Sequence, residues 1–219
     1  MSESAYTQLL DLAAGLFLLA AVFVLWRREL TAIVRIFALQ GVALFAIAAL
    51  LGVHEERWDL LAVAAGIGAL RAGVLPHLMR RALAASGETR ETQPLVNVAA
   101  SLLTAAALTL LAYAVSRPLV ELDPSPATRA LPVGLAVVLI GFFTLVTRRR
   151  ALSQVVGFLL LDNGITAVAF LAASGVPLIV ELGVSFDVLL AVLVLQILTT
   201  RMRAAFGRTD IDDLRELRD

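Results

Sequence analysis

The stretch that decides the fold runs from residue 151 to residue 173 and reads ALSQVVGFLLLDNGITAVAFLAA. It is long enough to cross the ~30 Å hydrocarbon layer of a bilayer, which takes about 20 apolar residues as a helix. Its apolar residues are continuous and do not alternate with polar ones, so the pattern excludes a membrane β-strand. The stretch predicts a transmembrane helix with Asp162 near its middle.

Similar apolar runs lie on both sides of this one, and short polar breaks separate them. The predicted spans are Tyr6–Trp26, Leu30–Val53, Trp58–Met79, Leu95–Val115, Leu131–Val146, Ala151–Ala173 and Leu178–Thr200. The sequence therefore predicts an all-α integral membrane protein with about seven transmembrane helices.

The composition supports this class and excludes several functions. Of the 219 residues, 60% are apolar and 16% are charged, whereas soluble domains have about 45–50% and about 25%. The net charge of zero gives no bulk attraction to nucleic acid, so lipid is the expected surrounding. Without cysteine and with two histidines, the chain is expected to bind no metal and no cofactor.

The arginines predict how the chain is oriented. Counted over alternate loops and the tail, 13 of them fall on one side of the predicted spans and three on the other. Arginine is retained on the cytoplasmic side of membranes. We expect a multi-pass protein of a prokaryotic plasma (inner) membrane, with its N-terminus outside and its C-terminus in the cytoplasm.

Short internal echoes predict a duplicated three-helix unit. Gln40-Gly41 in the second span matches Asn163-Gly164 in the sixth, and the third and seventh spans share Leu-Leu-Ala-Val after an aspartate. The paired spans cross the bilayer in the same direction. The predicted organisation is an N-terminal membrane unit, a connector helix with an outer loop, a C-terminal membrane unit and a cytoplasmic tail, over residues 1–94, 95–130, 131–200 and 201–219.

Three charged residues fall deep within the predicted spans. Asp162 lies 12 residues after Arg150, which corresponds to a depth of about 18 Å at 1.5 Å per residue. By the same measure, Asp187 lies about 21 Å and Arg71 about 13–14 Å from the inner surface. A charge at the bilayer centre costs roughly 2.5–3.5 kcal/mol on insertion scales, so each of these residues is expected to have a binding partner or a function that accounts for this cost.

Two explanations of these charges remain open. In the functional one, movement of Arg71 relative to a carboxylate loads and releases a proton. In the structural one, Arg71 forms a buried ion pair with Asp162 or Asp187 that fixes helix register. Pro76 is expected to loosen the helix beside Arg71.

Five other residues are weaker candidates for a proton path. Arg35 is close enough to a helix end for its guanidinium to reach the interface, and Glu181 and His77 lie near opposite interfaces. Gln40 and Asn163 are suited to hydrogen bonds between helices. The candidate set is Asp162, Asp187, Glu181, Arg71, Arg35, Asn163, Gln40 and His77.

The C-terminal third resembles a known family. Residues 157–165, GFLLLDNGI, and residues 177–188, PLIVELGVSFDV, resemble component E of hydrogenase-4 and formate hydrogenlyase complexes, and so do residues 70–81, LRAGVLPHLMRR. The resemblance implies kinship with the K-type subunit of respiratory complex I, above all in the last three helices, and with the C subunit of Mrp-type antiporters. The family more often has glutamate at the position of Asp162 and lysine at that of Arg71. Arginine does not deprotonate, so here it is a fixed or swinging charge.

This resemblance implies a non-catalytic membrane subunit that contributes buried carboxylates to proton translocation. Its expected partners are antiporter-like membrane subunits and the membrane anchor of a nickel–iron hydrogenase or related redox arm. Two alternatives remain: a subunit of a Mrp-type cation/proton antiporter, and a purely structural membrane spacer.

Overall fold

A computed structural model describes residues 2–86, 95–149 and 151–173. These ranges contain α-helices, one π-helix and no strand, which confirms the all-α prediction. Six helices within them are long and apolar enough to span a membrane, against about seven predicted for the whole chain. The seventh predicted span, Leu178–Thr200, lies outside the described residues.

The helices are α1 (Glu3–Trp26), α2 (Leu30–His54), α3 (Trp58–Ile67), the π-helix (Gly68–Val74), α4 (Leu75–Ser86), α5 (Val98–Leu122), α6 (Pro126–Thr147) and α7 (Ala151–Ala173).

The outer loop predicted between the fourth and fifth spans is much shorter in the structure. The sequence predicts helix ends at Val115 and Leu131, but α5 continues to Leu122 and α6 begins at Pro126. Ser125 caps α6, and its side chain accepts a hydrogen bond from the backbone N–H of Thr128. Proline is well suited to the first helical position, where no backbone donor is needed. The polar residues between Val115 and Leu131 predict a loop, but most of them belong to the end of α5 and the start of α6.

The third span is one continuous rod in which the helix type changes twice. Residues 68–74 form the π-helix, and the N–H of Leu75 donates to the carbonyl of Leu70. Pro76 follows immediately and has no N–H to donate, so a regular α-helical bond is missing at this point. The structure thus has an irregular helix where the sequence predicts a loosened one.

The tightest helix pair is the antiparallel contact of α6 with α7, which we call the glycine seam. It consists of four facing pairs in which glycine meets the backbone or the side chain of valine or leucine: Gly134–Val168, Val138–Gly164, Gly141–Leu161 and Leu145–Gly157. A Cβ built on Gly157 would lie 2.5 Å from the backbone nitrogen of Leu145, and one built on Gly164 the same distance from that of Val138. Small residues let membrane helices approach closely, so this seam fixes the position of α7.

Helices α1 and α2 complete the packing around this pair. Helix α1 packs on α2 and α6, while α2 packs on α3, the π-helix and α7. The core is apolar, with Phe17, Phe37 and Phe170 fully buried. Helix α5 is the least covered of the candidate spans. The result is a bundle in which α2 lies between the irregular third span and α7, where most of the deep polar residues meet.

Candidate functional site

The site is centred on Arg71, which the π-helix carries into the middle of the bundle. Its side chain is only 1% exposed and is the largest among the fully buried residues. Nη1 of Arg71 lies 2.7 Å from Oδ2 of Asp162. Nη1 also donates to Oδ1 of Asn163, and Nη2 donates to Oγ1 of Thr166 over 2.9 Å. One guanidinium group therefore holds three side chains of α7.

The three partners lie on one face of α7 because of their spacing. Asp162 and Thr166 are four residues apart, which places them one turn apart on the same side of a helix, and Asn163 is adjacent. Asp162 is 6% exposed and Asn163 is fully buried. Gly164 lies between Asn163 and Thr166 in sequence and packs on α6. The glycine seam therefore holds α7 in a position in which this polar face contacts the π-helix.

Gln40 extends the cluster to two further helices. Nδ2 of Asn163 donates to Oε1 of Gln40 over 2.9 Å, and Nε2 of Gln40 donates to the carbonyl of Phe17 over 3.4 Å. Gln40 is fully buried. The connected polar groups thus run from α1 through α2 and α7 to the π-helix. We call Gln40, Arg71, Asp162, Asn163 and Thr166 the polar cluster.

Gly41 allows α2 to approach the π-helix at this level. A Cβ built on Gly41 would lie 2.8 Å from the backbone carbon and oxygen of Arg71 and from the nitrogen of Ala72. Cβ atoms do not occupy such positions, so a larger residue would displace one of the helices. The glycine therefore sets the distance at which Gln40, next to it in sequence, meets Asn163.

The chemistry of the polar cluster is that of one buried charge pair surrounded by neutral polar groups. Arginine keeps its proton under all ordinary conditions, and amides and hydroxyls do not titrate near neutral pH. Asp162 is therefore the one cluster member able to gain or lose a proton. Among the described residues, no group of three His, Asp or Glu side chains is arranged to hold a metal ion.

The structure brings together four of the eight candidates. Arg71, Asp162, Asn163 and Gln40 are in the polar cluster, and the pairing of Arg71 with Asp162 is one of the two considered from sequence. The side chains of Arg35 and His77 are exposed and lie outside it. Arg35 is five residues before Gln40, so it points away from the face of α2 that carries Gln40. Glu181 and Asp187 lie outside the described residues.

Sequence reasoning missed two polar residues. Thr166 was detectable, because a residue four positions after Asp162 shares its helix face. Arg148 falls in the break between the predicted spans that end at Val146 and begin at Ala151, yet it is buried and its Nη2 donates to the carbonyls of Val24 and Leu25, each over 3.1 Å. It satisfies the last carbonyls of α1, where a positive charge is favourable. No local pattern links residue 148 to α1.

These features define the class: a multi-pass, all-helical membrane protein with an ion pair buried at the contact of α2, the π-helix and α7. The chain belongs to the same family as the uncharacterized protein Rv0085 of Mycobacterium tuberculosis, with which it is 53% identical over 220 residues, covering both chains completely.

The chain also shows distant homology to hydrogenase-4 component E. It is 29% identical over 206 residues to that protein from Escherichia coli K12 and from Shigella flexneri, covering 94% of this chain and 95% of theirs. No protein-family model matches the chain. No solved structure matches it.

Proposed function

We propose that this protein is a non-catalytic membrane subunit of a hydrogenase-4-type complex related to respiratory complex I, and that Asp162 contributes to proton translocation in it. The observation that carries the proposal is the buried pair of Arg71 and Asp162 within a polar cluster that connects four helical segments. The distant homology to hydrogenase-4 component E supports the assignment to such a complex.

A buried ion pair is weak support for a purely structural role. The desolvation of two charges can exceed their attraction, and apolar replacements of such pairs are often neutral or stabilising by about 1–4 kcal/mol. The glycine seam already positions α7 without charge. Charged groups kept inside a membrane are by default associated with ion movement, which favours exchange of a proton at Asp162.

In the proposed cycle, Asp162 takes up a proton when Arg71 moves away and releases it when Arg71 returns. The π-helix supports such movement, because its hydrogen bonds are displaced by one residue and π-helical turns are frequent at functional sites. Asn163 and Thr166 hold the guanidinium in its paired position. Asp187 and Glu181 are proposed as further carboxylates of the path. The sequence predicts Asp187 deep within the seventh span and Glu181 near the interface at its outer end.

The proposed setting is a prokaryotic inner membrane, with the N-terminus outside and the C-terminus in the cytoplasm, as the arginine distribution predicts. The proposed partners are antiporter-like membrane subunits and the membrane anchor of a hydrogenase arm. Gentle purification of the chain from its native membrane tests this assignment. Hydrogenase and antiporter-like subunits should co-purify, whereas antiporter subunits alone would indicate the Mrp-type alternative.

The role of Asp162 is tested by Asp162→Asn in membrane vesicles that contain the assembled complex. We expect proton uptake per hydrogen formed to fall to near zero, while Asp162→Glu keeps most of it because the carboxylate remains. Asp59→Asn is a matched control, since Asp59 is exposed and pairs with Arg57 over 2.5 Å. Unchanged proton uptake in an assembled Asp162→Asn complex would refute the role.

A further inference from the structure

Oxygen atoms of the polar cluster converge on the space that the guanidinium of Arg71 occupies. Carboxylate Oδ2 of Asp162, amide Oδ1 of Asn163 and hydroxyl Oγ1 of Thr166 all face its two terminal nitrogens. A fourth oxygen, Oε1 of Gln40, is one hydrogen bond away, where it accepts from Asn163. Carboxylate, amide carbonyl and hydroxyl oxygens are also the ligands that hard cations prefer.

We infer that Arg71 is the residue that determines ion specificity: as a tethered cation, it occupies the position of an alkali metal ion and restricts exchange at Asp162 to protons. This inference rests on the proposed function and gives a physical reason why its ion is the proton. It follows from the arrangement of Asp162, Asn163 and Thr166 around one guanidinium group, with Gln40 hydrogen-bonded to Asn163.

Charge balance gives the first reason. Arg71 and Asp162 together are neutral and almost completely removed from solvent. A sodium ion added to this pair would leave a net positive charge in an apolar bundle, which is strongly unfavourable. A proton that joins Asp162 also adds charge, but it forms a covalent O–H bond and requires no coordination shell.

The identity of the cation gives the second reason. A lysine at this position is able to give up its proton and become neutral, whereas arginine remains charged. Arg71 therefore leaves the site only by moving its side chain. While Arg71 is paired, each of its terminal nitrogens is held by a partner on α7, so a free cation would have to displace a bonded one.

The expected consequence is a gain of function. Replacement of Arg71 by a shorter neutral residue leaves Asp162, Asn163 and Thr166 facing an unfilled space with one negative charge. These oxygens, with Gln40 after a turn of its amide, form a ligand set for sodium. Sodium binding should appear when the arginine is removed and disappear again when Asp162 is also neutralised.

The test uses the full-length protein in lipid nanodiscs, with retention of radiolabelled sodium and thermal stability measured in NaCl and in choline chloride at equal ionic strength. Wild type should show no saturable sodium retention and equal melting temperatures in both salts. Arg71→Ala should bind sodium saturably and melt several degrees higher in NaCl. The double variant Arg71→Ala/Asp162→Asn should show no saturable sodium retention and equal melting temperatures in both salts.

Two results would overturn the inference: wild-type sodium binding that Asp162→Asn abolishes, or a folded Arg71→Ala protein that retains no sodium. Where Arg71→Ala does not fold, Arg71→Gln keeps an amide donor in the site and is measured in its place, and the wild-type result stands in either case. The assay requires no redox partner. Wild-type sodium binding would therefore leave a coupling role for Asp162 intact, while failure of coupling would leave the binding result unaffected.

Discussion

Helix α7 has two faces that are packed by opposite means. Towards α6, glycines and branched apolar side chains alternate in the glycine seam, and the two backbones lie almost in contact. Towards α2 and the π-helix, the same helix presents Asp162, Asn163 and Thr166 to a buried guanidinium. The difference fits the division of roles that we propose, in which the seam holds α7 in place and the polar face exchanges a proton.

The largest expected effect comes from breaking the glycine seam. A Cβ on Gly141 would collide with the backbone nitrogen of Leu161, so Gly141→Ala should separate α6 from α7 and cost about 3 kcal/mol or more. The yield of folded protein in membranes and the melting temperature in detergent measure this loss. Gly15→Ala is the matched control, because nothing lies within 4 Å of a Cβ there. A Gly141→Ala protein as stable as that control would show that the seam does not hold the bundle.

An intermediate effect is expected from Gly41→Ala, because Gly41 allows α2 to approach the π-helix beside the polar cluster. Gly41→Ala places its Cβ 2.8 Å from the backbone of Arg71 and should cost about 1–3 kcal/mol as α2 moves outwards. The displaced helix should weaken the hydrogen bond of Gln40 with Asn163, so coupling should fall more than stability does. Proton uptake per turnover and melting temperature, measured on the same preparation, separate the two losses. Equal coupling to wild type with reduced stability would place α2 outside the mechanism.

The smallest effect is expected from a single hydroxyl. Thr166→Val removes one acceptor of Arg71 Nη2 and should cost about 1–2 kcal/mol, because the buried guanidinium loses one of its hydrogen bonds. Thr109→Val is the matched control: the Thr109 hydroxyl only donates to the carbonyl of Ala105 in its own helix, and its loss should cost under about 0.5 kcal/mol. Chemical denaturation of both variants measures the difference. Equal losses would mean that Thr166 does not hold the guanidinium.

Much of the fold was predictable, because continuous apolar runs of about 20 residues indicate membrane-spanning helices. Each of the six described spans begins or ends within three residues of its predicted bound at one terminus or both. The pairing of Arg71 with Asp162 was also among the sequence hypotheses, since buried opposite charges seek each other.

The π-helix and the glycine seam were beyond sequence reasoning. A π-helix shifts each hydrogen bond by one residue, whereas Pro76 predicts only that the helix beside it is loosened. The seam required a register between two helices that sequence does not display. Arg148 illustrates the same limit, since its partners on α1 are more than one hundred residues away.

The second and sixth predicted spans, which share a short sequence similarity, contact each other in the structure. Gln40 and Asn163, the matched polar residues, are hydrogen-bonded to each other, and α1 packs on α6 as α2 packs on α7. Equivalent helices meet in this way when two parallel repeats are related by an axis along the membrane normal. The contacts support a duplicated three-helix unit, which we retain as a proposal.

The most direct test is removal of both charges at once, with Arg71→Met and Asp162→Leu in one chain. The glycine seam should keep α7 in place, so we predict assembly of the complex and a stability within about 2 kcal/mol of wild type. Proton translocation per hydrogen formed should be lost in the same vesicles. Full proton translocation by the assembled double variant would contradict the account and leave the ion pair with a structural role only.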